Sequence, residues 1–297
     1  MAITINTNLS SQIVQANLNK STAALNQAIE RMTTGYKINH ASDNAAGYSI
    51  ARSWEAKLGS LDVAADNAAT GADMLSTLED HYALVSTHVQ RIRDLTEQAA
   101  NGTYGQQSKE AIQSEIQARV DEINRIAANC EFGGQNLMDG TLKDKSIAIQ
   151  VGLDSDPSKS QIALDGSLFK SGALEELFTA AAAPVDAENI AKFCADLNPD
   201  TSEGRISASK MLEKIDKVIN EISSRVTTLG AAQNRIESAI ESIAVQSENI
   251  TSSLSTLRDA DVAQESSNFL KAQILQQASA TLLATANQSP SIALNLL

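Results

Sequence analysis

Three histidines and two cysteines are the side chains here best suited to hold a metal or act as nucleophiles: His40, His81, His88, Cys130 and Cys194. His81 and His88 stand seven residues apart, on one face of a helix, yet no third ligand follows at metal-binding spacing. They read as solvated side chains or as contacts between copies of the chain. The sequence has neither a G-x-x-x-x-G-K-[ST] phosphate loop nor a G-x-S-x-G nucleophile turn. Its carboxylates are scattered over helix surfaces, with no pair set apart for acid–base work. The expectation is a chain that is not an enzyme and that uses no cofactor or metal. Whether Cys130 and Cys194 pair cannot be deduced from their positions.

Composition narrows the class further. The 297 residues carry 36 acidic and 23 basic side chains, a net charge of −13, which argues against a nucleic-acid partner. No apolar run approaches the length of a membrane span, so no membrane partner is expected. The first twenty residues lack the basic and apolar regions of a secretory signal peptide, which implies a cytoplasmic protein or another export route. Apolar residues make up 42% of the chain but aromatics only 3%. That balance suits long helical bundles built on Ala, Leu and Ile.

The elements bear this out in their periodicity. From Ile215 to Leu257 a seam recurs at spacings of four and three: Ile215, Ile219, Ile222, Val226, Leu229, Gln233, Ile236, Ile240, Ile243, Ser247, Ile250, Leu254, Leu257. Gln233 and Ser247 interrupt it and are candidates for register-setting contacts. A helix from about 208 to 257 would run roughly 75 Å and needs a partner of similar length. Helices at 45–100 and 107–129 supply it, the first along Leu61, Ala68, Leu75, Tyr82, Val85, Val89, Ile92 and Leu95. The second carries Ile112, Ile116, Val120, Ile123 and Ile126. The residues expected to pack this rod are Ile222, Val226, Leu229, Ile236, Ile240 and Ile243.

Each end of the chain adds a shorter helix. From about Ser11 to Thr34, Val14, Leu18, Leu25, Ile29 and Met32 share a face, and Gly35 ends the helix. Ser42 or Asp43 is expected to cap the next one. From 262 to about 287 the stripe reads Val262, Phe269, Ala272, Leu275, Ala278, Leu282, with Pro290 as the stop. Between the arms, Ile147–Val151 and Gln161–Leu164 predict a β-hairpin, and a short helix is expected within 172–197. The predicted fold is mainly α: an elongated rod of long antiparallel coiled-coil helices, a small central hairpin region, and paired N- and C-terminal helices. The terminal stripes keep apolar surface even when paired, so they are expected to bind other copies.

Particular segments resemble bacterial flagellin. They are Ile5-Asn6-Thr7-Asn8, Asn17-Leu18-Asn19-Lys20-Ser21, Ala28-Ile29-Glu30-Arg31-Met32 and Ile38-Asn39 through Asp43-Asn44-Ala45-Ala46-Gly47. Toward the C-terminus follow Leu229-Gly230-Ala231-Ala232-Gln233-Asn234-Arg235, Asp259-Ala260-Asp261, Lys271 to Gln277 and Ala286-Asn287-Gln288. The resemblance implies a short filament subunit that polymerises with copies of itself, for swimming motility. It implies a filament-core domain from 1–43 and 259–297, a coiled-coil domain from 44–140 and 205–258, and a reduced centre at 141–204. Leu18, Leu25, Ile29, Phe269, Leu275, Leu282, Leu294, Leu296 and Leu297 would form the polymerisation core. The H-E-x-x-H motif carried by some flagellins in their central insert is absent.

The resemblance also implies partners. These are an export chaperone, the type III export apparatus, the filament cap, hook-junction proteins and the host Toll-like receptor for flagellin. Export would need no cleaved signal peptide, and the destination would be the extracellular filament. Gln90, Arg91, Leu95 and Glu115 match the receptor-bound segments: Arg91 as a donor, Leu95 filling a pocket, Glu115 meeting a basic group. Two readings compete. A hook–filament junction protein shares the terminal helical pattern, and a coiled-coil binding adaptor shares the periodicity alone.

Overall fold

The computed structural model describes residues 8–101, 103–181 and 202–294. The chain is mainly α and divides into two compact units, Met1–Gly59 with Ser247–Leu297, and Ser60–Gln246.

In the first unit, α1 spans Leu9–Thr34. Asn8 begins it, its Oδ1 accepting the Ser11 N–H at 3.1 Å, and Gly35 ends it at φ 75°, a left-handed conformation that favours glycine. The next helix, α2, spans Ala45–Ala100. Its cap is neither Ser42 nor Asp43 but Asn44, whose Oδ1 accepts the Gly47 N–H at 2.9 Å. Asp43 is engaged elsewhere: its Oδ2 accepts the Asn39 and His40 N–H groups, each at 3.1 Å. Those two bonds hold the Asp43 carboxyl below the ordinary carboxylate range.

The second unit is built on antiparallel helices. After α3 (Gln106–Asn129) come β1 (Glu131–Phe132), β2 (Gln135–Asn136), β3 (Ile147–Gln150), the single turn α4 (Pro157–Ser160) and β4 (Gln161–Leu164). A 3-10 turn at Gly166–Phe169, α5 (Leu174–Ala180) and α6 (Ser202–Arg258) follow, and α7 (Val262–Leu294) closes the chain in the first unit. The pairing of α6 with α2 shows in Arg93 Nε to Asp216 Oδ1 at 2.7 Å and Gln233 Nε2 to Glu79 Oε2 at 2.8 Å. Higher numbers on one helix meet lower numbers on the other. Gln233 thus makes the polar contact its place in the seam anticipates.

Ile215, Ile222, Leu229 and Ile236 are buried in one core with Leu75, Tyr82, Val89 and Ile92 of α2 and Ile116 and Ile123 of α3. Val226 and Ile240 are half-buried against that core, and Ile243 is buried. A buried polar knot ties it together. Arg225, 6% exposed, pairs with Glu221 at 2.9 Å and donates from Nη1 to Ser171 O at 2.8 Å and Tyr82 Oη at 3.3 Å. Tyr82 Oη in turn donates to Lys170 O at 3.2 Å, and burial pushes the phenol above its ordinary range.

The expected hairpin forms with Ile147 opposite Leu164 and Gln150 opposite Gln161. It lies close against α2, where a side chain at Gly71 would collide with Ile149. That approach explains a glycine in mid-helix. A smaller hairpin, β1–β2, turns through Gly133 and Gly134, both at positive φ.

Cys130 ends α3 and is fully buried, and desolvation pushes its thiol up to about 11. Cys194 lies outside the described residues. In a Cys194→Ser background, a thiol reagent at pH 8 is expected to leave native Cys130 unlabelled over a period that labels the urea-unfolded chain completely. Rapid labelling of the folded protein would contradict the burial.

Candidate polymerisation surface

The surface with unmet burial demand lies on α1 and α7. They pair antiparallel: Arg31 Nη1 meets Glu265 Oε1 at 3.2 Å, Gln276 Nε2 donates to Thr22 Oγ1 at 3.1 Å, and Ser11 Oγ donates to Asn287 Oδ1 at 2.7 Å. On α1 the pairing face runs through Ser11, Val14, Leu18, Leu25 and Ala28. On α7 it runs through Glu265, Phe269, Ala272, Gln276, Ser279, Leu283 and Ala286, an uninterrupted alternation of four and three.

That face differs from the stripe expected on α7. Phe269 and Ala272 belong to it, whereas Leu275 and Leu282 do not: they are 47% and 56% exposed. Leu270 and Ile274, one turn apart, are 55% and 63% exposed, and Ile29, Ile13 and Leu9 on α1 are exposed as well. The outward side of α7 therefore carries large apolar side chains among polar ones such as Lys271 and Gln277. Leu294 falls where only the backbone is described, and Leu296 and Leu297 lie outside the described residues.

Pro290 does not stop α7, which continues to Leu294. A proline at 290 removes the N–H that would bond the carbonyl of Ala286. Asn8 Nδ2 donates to that carbonyl at 2.7 Å and satisfies it from α1.

The two connectors of this unit are tied together. Lys37 N–H donates to Arg258 O at 2.7 Å and Ala260 N–H to Gly35 O at 2.8 Å. The Arg258 guanidinium sits 4.0 Å from the Tyr36 ring centroid and pairs with Glu55. Trp54, half-buried, borders a surface depression with Ile38 and Leu257.

The residues matched to receptor contacts lie on α2 and α3. Gln90 is exposed, and Arg91 pairs with Glu115, Nη2 to Oε1 at 2.9 Å, both half-exposed. Leu95 is not at the surface: it is 1% exposed and packs in the helical core. Its place three residues after Ile92 puts it on the inward stripe, so it cannot fill a receptor pocket in this conformation. Among the histidines, His81 Nδ1 lies 2.7 Å from Thr77 O, His88 Nδ1 lies 3.4 Å from Arg119, and His40 Nε2 lies 2.7 Å from Glu30. Among the described residues no three His, Cys, Asp or Glu side chains stand together as metal ligands would.

The pattern of the bacterial flagellin N-terminal helical region matches residues 5–143, and that of the C-terminal helical region matches residues 212–297. The flagellin of Bacillus subtilis is 35% identical over 306 residues, covering 99% of each chain. The chain belongs to the bacterial flagellin family. Polar flagellin F of Vibrio parahaemolyticus is 31% identical over 376 positions, covering 100% of each chain, so this family member is the shorter and its centre is reduced. A Vibrio parahaemolyticus structure assigned as a flagellar hook-associated protein superposes at a TM-score of 0.61, over 73% of this chain and all of that one. At 14% identity that likeness shows the fold alone. As a flagellin, the chain is a structural subunit of the extracellular flagellar filament, and it polymerises with copies of itself. Among the described residues no helix is long and apolar enough to cross a membrane.

Proposed function

We propose that copies join through the apolar faces that α1 and α7 leave uncovered, with residues 1–43 and 259–297 forming the filament core domain. Residues 44–140 and 205–258 form the coiled-coil domain, and 141–204 the short central region. The observation that supports this is the exposure of Leu270, Ile274, Leu275 and Leu282 on a helix whose other face is already paired. Leu18, Leu25 and Phe269 hold the pair together from within. Ile29, Leu275 and Leu282 face the neighbouring copies, and Leu294, Leu296 and Leu297 extend the contact.

The family resemblance supports the remaining partners: an export chaperone and the type III apparatus on the way out, then the cap and the hook-junction proteins at the filament. The host Toll-like receptor would meet Gln90, Arg91 and Glu115, without Leu95. Arg91 and Glu115 would have to exchange their mutual ion pair for receptor groups, so their contribution is modest at a half-exposed site.

Seeded assembly tests the core. Monomer mixed with filament fragments is expected to elongate them, visible by electron microscopy. Deletion of residues 288–297 is expected to stop elongation while the far-ultraviolet circular dichroism of the second unit persists. Elongation at an unchanged rate by the truncated chain would overturn the assignment of the terminal segments.

A further inference from the structure

Charge is distributed unevenly over this subunit. Residues 1–34 and 262–297 hold three cations, Lys20, Arg31 and Lys271, and two carboxylates, Glu30 and Glu265, a net +1. The remainder of the chain therefore carries −14. Copies repel through most of their surface, and the terminal pair is where that repulsion is relieved. Beyond Lys20 and Lys271 toward the ends, residues 1–19 and 272–297 contain no ionisable side chain.

Both lysines border one groove of about 370 Å³ between α1 and α7, floored by the small side chains Ala28 and Ala272. That volume lies at the lower end of the ~300–1,000 Å³ range of ligand sites. Glu265 is already engaged, by Arg31 at 3.2 Å and by Asn268 Nδ2 at 3.3 Å. Lys20 and Lys271 make no hydrogen bond or ion pair among the described residues, and Arg31 Nε is buried with no acceptor. The groove thus presents two ammonium groups in search of an oxygen, beside an Arg31 guanidinium that already holds Glu265. A buried guanidinium nitrogen without an acceptor is unfavourable.

We propose that this groove receives a carboxylate side chain of a second copy and sets the register between neighbouring subunits. The inference rests on the filament reading. The occupant follows from charge: a subunit that is −14 outside its terminal pair offers carboxylates and meets its neighbours repeatedly. An ionic contact is also directional where the surrounding apolar faces are not. Apolar ridges can slide by a turn at little loss, whereas a charge pair penalises the slipped register.

The test compares Lys20→Gln/Lys271→Gln with Lys20→Arg/Lys271→Arg in seeded assembly at fixed ionic strength. The Gln pair is expected to raise the critical concentration about tenfold or more, and the Arg pair to stay within about twofold of the wild type. Helicity of both monomers, by circular dichroism, should match the wild type. If the wild type itself fails to elongate seeds, the filament reading fails and the groove with it. If the wild type elongates and the Gln pair does so at the same critical concentration, the groove proposal alone is overturned. Titration of the monomer with sodium sulfate by calorimetry separates the sources of the anion. Tight sulfate binding lost in the Gln pair, with assembly unchanged, would make the groove a site for a free anion and overturn the proposal.

Discussion

Ile222→Asp is expected to unfold the second unit at room temperature, read as loss of far-ultraviolet circular dichroism and of a cooperative melt. Ile222 is 2% exposed, in one core with Tyr82, Val85 and Ile123. Removing its side chain costs about 2–5 kcal/mol in lost burial and cavity. The new carboxyl adds several kcal/mol more, whether it is buried charged or takes up a proton. Against a typical domain stability of ~5–15 kcal/mol, that is most or all of it. Ile240, only half-buried, should lose less when changed the same way. Val245, 52% exposed, should shift stability by no more than about 0.5 kcal/mol. A normal melt for Ile222→Asp would contradict the packing of α6 on α2 and α3. So would equal damage from all three substitutions.

The gradation among those positions marks what a sequence discloses. Sustained spacing of four and three identifies α6 and its inward face because the seam is apolar and its flanks are polar. Ile215, Ile222, Leu229 and Ile236 are all buried, and Gln233 meets Glu79 across the seam. The same logic fails on α7, where Leu270, Ile274, Leu275, Leu282 and Leu283 surround the axis. Polar and apolar residues are interspersed around it, so periodicity alone does not choose a face, and the stripe through Leu275 and Leu282 lies beside the α1-pairing face through Gln276 and Leu283. Pro290 misled for a different reason: the carbonyl it leaves free is satisfied by Asn8, 278 residues away in sequence.

Polar residues at core positions were the other blind spot. Arg225 sits beside the seam and looks solvated in sequence, yet it is buried with Tyr82 and Ser171. Only the fold of 166–180 over the helices supplies the Ser171 carbonyl that makes its burial tolerable. Asp43 and Asn44 are adjacent in sequence, and either type caps helices. The choice depended on the 39–43 turn claiming Asp43. Leu95 is buried where the inward stripe of α2 places it. Gly133-Gly134 was a readable signal: two adjacent glycines supply the positive φ values that a tight hairpin turn requires.

Leu270→Asp with Ile274→Asp is expected to leave the monomer folded and to abolish seeded assembly. Both side chains are more than half exposed, and they face away from the α1 pairing stripe. Each replacement should alter monomer stability by no more than about 0.5 kcal/mol. Their value lies in contacts the monomer lacks. Full burial of a Leu or Ile is worth about 1.5–3 kcal/mol, so losing both raises the critical concentration by about 10²- to 10⁴-fold before any penalty for burying the carboxylates. Ile274→Leu, which keeps volume and apolarity, should assemble nearly as the wild type does. The contrast with Ile222→Asp is the informative part. One substitution removes helicity and assembly together, whereas this pair removes assembly alone. If Leu270→Asp/Ile274→Asp subunits elongate seeds at the wild-type critical concentration, this side of α7 faces solvent in the filament. The subunit contact must then run along the flank that carries Leu275 and Leu282.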